Sequence, residues 1–84
     1  MTPKQLEKKV LSVVEHLGFS VKTTNIEDEC DTYNIANVVL SGCQQVFISH
    51  LNTLHVQSIR RAGKSFVLTL VVDNETWAEW EKEV

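Results

Sequence analysis

Eighty-four residues, 43% apolar and 23% charged, fit one globular domain over residues 1–84 and exclude a disordered tail. A formal net charge of −3 excludes the strongly basic balance of a dedicated nucleic-acid binder. The polar start Met1-Thr2-Pro3-Lys4 lacks the apolar stretch of a secretory signal, and the longest apolar run, 66–72, is too short to span a bilayer; a cytoplasmic chain with no membrane partner is expected.

In chain order, Thr2-Pro3-Lys4-Gln5 predicts a helix start. Thr2 suits the cap, Pro3 the first helical position, and Gln5 completes a capping box. Leu6, Val10, Val13, Val14 and Leu17 follow at helical spacing and form one apolar stripe, and Gly18 ends the helix. His16, in its last turn, is read as a surface residue favoured by the helix dipole.

Turn signals then recur about every ten to twelve residues, at 27–31, Ser41-Gly42, Leu51-Asn52-Thr53, Ala62-Gly63 and Asp73-Asn74. Between them lie segments rich in Val, Ile, Leu, Thr, Phe and Tyr, which predicts strands over 19–26, 32–40, 43–49, 54–61 and 65–72. The first is the least apolar and should be an edge. The last has Phe66, Leu68, Leu70 and Val72 on one side and Val67, Thr69 and Val71 on the other, so a central position with a helix on each face is expected. A short helix with Trp77, Trp80 and Val84 on one side closes the chain, capped by Asp73 or Asn74. The fold class is α+β: an N-terminal helix, an antiparallel β-meander of about five strands and a short C-terminal helix. Residues 50–62 also fit a helix with Leu51, Leu54, Ser58, Ile59 and Ala62 on one face, which gives the alternative order helix, three strands, helix, strand, helix.

No chemistry-bearing motif is complete. Cys30, Cys43, His50 and His55 lack the paired spacing of a structural zinc site, and both cysteines are read as free thiols. The carboxylates of Glu27, Asp28, Glu29 and Asp31 match no calcium-loop register, no nucleophile elbow exists, and no glycine-rich phosphate loop exists. The expected function is therefore non-enzymatic, with no catalytic residue, metal or cofactor.

Charge segregation is the positive lead. Four of the eleven acidic residues lie in 27–31 and five more, Asp73, Glu75, Glu79, Glu81 and Glu83, in the final segment. Six of the eight basic residues are Lys4, Lys8, Lys9, Arg60, Arg61 and Lys64. Such asymmetry steers a partner into one orientation. The expectation is a regulatory protein that docks on a larger protein and inhibits or modulates it. Trp77, Trp80, Glu79, Glu83, Asp28, Glu29 and Asp31 are its candidate binding residues. Small inhibitors carried by viruses and mobile elements share this size and charge. A two-fold homodimer through the edge strand 19–26 is expected as well. The second-ranked reading is a nucleic-acid-binding regulator that grips phosphates with Arg60, Arg61 and Lys64 around a basic hairpin.

Overall fold

A computed structural model describes residues 1–14, 19–42 and 52–83, with the side chains of Asp28, Glu29 and Asn52 outside that description. His16, Leu17, Gly18, the expected strand 43–49 with Cys43, and His50 lie outside the described residues. The architecture is α+β. Helix α1 (Pro3–Val14) leads into strands β1 (Phe19–Glu29) and β2 (Tyr33–Gly42); a 3₁₀ turn (Asn52–Leu54) precedes strands β3 (Val56–Ala62) and β4 (Ser65–Asp73), and helix α2 (Asn74–Glu83) follows directly.

Each element has a local cause. The capping box of α1 closes reciprocally: the Thr2 amide donates to Gln5 Oε1 at 2.8 Å and the Gln5 amide to Thr2 Oγ1 at 3.2 Å. Leu6, Val10 and Val14 form its buried stripe. Gly63 has φ 62° in the two-residue turn between β3 and β4, a left-handed backbone that favours glycine. Asp73 caps α2, its carboxylate accepting the Thr76 amide at 3.1 Å.

The described strands form one antiparallel sheet in the order β1-β2-β4-β3. Four strands rather than five are present among the described residues, and β4 returns between β2 and β3, so the order is not that of a sequential meander. The ambiguous stretch 50–62 is strand from Val56 onward, and its first part is the 3₁₀ turn. The acidic stretch expected to be a loop is largely strand, because β1 runs on through Glu29. Chain turnover is confined to Cys30-Asp31-Thr32.

β1 and β4 take the edge and central places expected of them. The expected placing of the helices is corrected. Both α1 and α2 pack on the same side of the sheet, in one core made of Leu6, Val10, Val14, Ala36, Val38, Leu40, Leu54, Leu68, Leu70, Val72, Trp77 and Trp80. Lys9 Nζ lies 2.5 Å from a Glu83 carboxylate oxygen and 5.6 Å from the centre of the Trp80 ring, which ties the two helices edge to edge. Phe19 and Phe66 meet edge to face at 6.0 Å at the far end of that core. The other face of β2 and β4 carries no helix among the described residues.

His55, between the 3₁₀ turn and β3, holds φ 54° although it is not glycine. Its carbonyl accepts the Val71 amide at 3.2 Å and its ring packs against Trp80 at 5.9 Å, so the strained backbone is fixed from both sides. A β-branched side chain tolerates that conformation worst. His55→Val is expected to destabilise the fold on the order of 1 kcal/mol more than His55→Asn, read from urea midpoints of the two variants.

Candidate functional site

Pairing of Tyr33 with Asp73 places the turn Cys30-Asp31-Thr32 beside the start of α2. Asn74 joins them. Its amide N–H donates to the Thr32 carbonyl at 3.3 Å, and its side-chain Nδ2 donates to the carbonyls of Asp31 and Cys30. Its Oδ1 accepts Asn34 Nδ2 at 2.7 Å, which satisfies the one buried polar side chain among the described residues. Acidic residues far apart in the chain thereby share one end of the sheet, with Glu27, Asp31, Asp73 and Glu75 all exposed there.

The basic hairpin stands at the opposite end of β4. Arg60, Arg61 and Lys64 are all exposed. Lys64 directly precedes β4 and Asp73 ends it, which separates the two by about 30 Å at ~3.3 Å per residue. Arg60, Arg61 and Lys64 thus stand at one end of β4, and Asp73 and Glu75 at the other.

The hairpin is a poor phosphate track. Arg60 pairs with Val67 and Arg61 with Phe66, so the two guanidinium groups leave the strand on opposite faces. Arg61 Nε also donates to the Gly63 carbonyl at 3.1 Å.

The tryptophans are core residues. Trp77 is 5% and Trp80 4% exposed, so the expectation that they anchor a partner is corrected. A ten-residue helix buries two indoles because it has help. Lys9 of α1 lies over Trp80 on one side, His55 meets it on another, and Trp77 lies 6.1 Å from it. Of the carboxylates on α2, Glu83 is paired with Lys9 and Glu81 with the Met1 amino group, whereas Glu75 and Glu79 have no ion pair among the described residues. Glu83 is therefore engaged within the molecule, and Glu79 remains an exposed candidate. Asp31 is exposed on the turn, and Asp28 and Glu29 are the last residues of β1.

The Asp73 carboxylate is stabilised by its capping contacts. Hydrogen bonds from the Thr76 hydroxyl and then the Thr76 amide hold it below the ordinary aspartate value of 3.8, with a smaller contribution from nearby His55. Because the folded-state value is the lower one, its contribution to stability is complete above 3.8 and disappears as pH falls through the depressed value. The stability difference between wild type and Asp73→Asn should be largest near neutrality and shrink on the acid side of 3.8, measured by urea unfolding across pH.

Both sheet edges are irregular. β1 is bulged at Lys22 and again at Glu27, and β3 at Gln57. Bulges and charges along an edge oppose flat strand-to-strand addition, so the homodimer expected through β1 meets an unsuitable edge. Cys30 is half-buried. Among the described residues no three His, Cys, Asp or Glu side chains gather as metal ligands, and no helix is long and apolar enough to cross a membrane.

Comparison with protein-family models, with curated proteins and with solved structures finds no match to this chain. The reading of its function rests on its own surfaces. Sequence reasoning found the charge clusters but missed Asn74, whose joining role has no signature beyond a cap-position asparagine.

Proposed function

We propose that this chain is a small non-enzymatic interaction protein that docks on a larger protein and inhibits or modulates it. The observation that carries the reading is the gathering of Asp31 with Asp73 and Glu75 at one end of β4, about 30 Å from the basic hairpin at the other. A surface polarised along one axis accepts a partner of complementary polarity in a single orientation and repels it in the reverse one. Asp31, Glu75 and Glu79 are the exposed carboxylates assigned to that contact, and Asp28 and Glu29 lie beside them in β1.

The test is affinity capture from the cell that makes the chain, with wild type and an Asp31→Lys/Glu75→Lys variant as parallel baits. A protein enriched by wild type and lost from the charge-reversed bait is the expected result. Equal recovery by both baits, or enrichment of nucleic acid alone, rejects the reading.

A further inference from the structure

We propose that α2 and the Cys30-Asp31-Thr32 turn form one cooperative opening unit latched by Asn74, a conformational device that releases both elements together. Asn74 is the first residue of α2 and follows β4 with no linker. Its amide and its Nδ2 group donate to the carbonyls of Thr32, Asp31 and Cys30. Its Oδ1 accepts Asn34 Nδ2 at 2.7 Å, and Asn34 is 4% exposed. If α2 swung away alone, Asn34 would keep a buried amide without its acceptor, and the turn would lose the donors that hold its carbonyls. Opening the two together lets water reach all of these groups. The joint therefore couples the helix to the turn.

The unit is separable from the rest of the core. Beyond the joint, the described contacts hold α2 through Trp77 and Trp80, through Lys9 on Glu83 and through the Met1 amino group on Glu81. Glu81 and Glu83 are exposed, so water weakens both ion pairs. A ten-residue helix is marginal in water, and α2 unwinds once its indoles leave the core. What stays behind is α1 on the sheet, with Leu6, Val10, Val14, Val38, Leu40 and Leu68 still packed together. The open form exposes both tryptophans, which the closed form buries. The inference goes beyond the docking reading and does not need it. Where that reading holds, Asp31 and Glu75 meet a partner in fixed register only in the closed form.

Residue-resolved hydrogen exchange on the whole chain, with urea added in sub-denaturing steps, tests the latch. The Cys30 amide, which donates to the Tyr33 carbonyl at 2.9 Å, reports the turn. The Trp80 amide reports α2, and the Leu68 amide on the central strand reports global unfolding. The expected result is one opening shared by Cys30 and Trp80, with matching protection and urea dependence, about tenfold or more as frequent as the opening at Leu68. Asn74→Asp should uncouple the pair. Its carboxylate still accepts Asn34 Nδ2 but donates nothing to the turn, so Cys30 should exchange about tenfold or more faster while Trp80 changes by less than about threefold. Unequal opening at Cys30 and Trp80 in the wild type overturns the inference. So does exchange of all three amides through global unfolding alone, or an unchanged Cys30 in Asn74→Asp. The wild-type comparison decides the matter even where the variant fails to fold.

Discussion

Trp80→Ala should cost ~3–5 kcal/mol of folding stability, the loss typical of a large aromatic removed from a core. Trp80 is 4% exposed and is held by contacts from three directions: Trp77, His55 and Lys9. A chain of this length has ~4–12 kcal/mol in total, so the variant should lie close to unfolding at room temperature. Its thermal midpoint should fall by ten degrees or more, at ~4–8 °C per kcal/mol. Glu79→Ala, three-tenths of a helical turn from Trp80 but facing water, should stay within about 0.5 kcal/mol of wild type. A Trp80→Ala protein with wild-type stability and lost partner binding would return that indole to the interface.

The second large effect is kinetic. Reversing Asp31 and Glu75 to Lys should slow association with the captured partner about tenfold or more at low salt, with little change in dissociation. Steering acts on the approach, before contacts form, and is screened within ~8 Å at physiological ionic strength. The gap between wild type and variant should therefore narrow as salt is added, in stopped-flow or surface-based rate measurements. A variant that dissociates faster but associates normally would show these carboxylates to be buried contacts instead of steering charges.

Much of the fold was legible because its signals are local. The capping box Thr2–Gln5, the helical stripe Leu6/Val10/Val14, the Ala62-Gly63 turn and the two-faced apolar pattern of β4 each rest on neighbours in sequence. The order of the sheet was not legible. Insertion of β4 between β2 and β3 is decided by long-range pairing such as Val38 with Leu68 and Ile59 with Leu68, which no local pattern specifies. The acidic stretch was misread as loop because charge was taken for exposure, yet β1 is an edge strand where Glu27 can remain in water. The same strand hides its bulges, since nothing in Lys22 or Glu27 alone announces an extra residue.

The binding surface was legible only in part. Charge segregation was visible in the sequence, but the fusion of two acidic clusters depends on Asn74 bridging from α2 to the Cys30-Asp31-Thr32 turn. The tryptophans misled because a short helix was weighed alone, whereas α1 and the His55 turn complete their burial. The paired arginines looked like one basic patch until the pleat of β3 sent them to opposite faces.

The most direct test of a protein-docking role titrates the wild-type chain against its captured protein partner and, in parallel, against mixed-sequence duplex DNA and single-stranded RNA. The expected outcome is saturable binding to the protein, weakened more by Asp31→Lys/Glu75→Lys than by Arg60→Ala/Arg61→Ala, with nucleic-acid binding no tighter than the non-specific range of ~10⁻⁴–10⁻⁶ M. Tight, salt-sensitive binding to DNA or RNA that the arginine double variant abolishes, while charge reversal at Asp31 and Glu75 leaves it intact, would contradict the role.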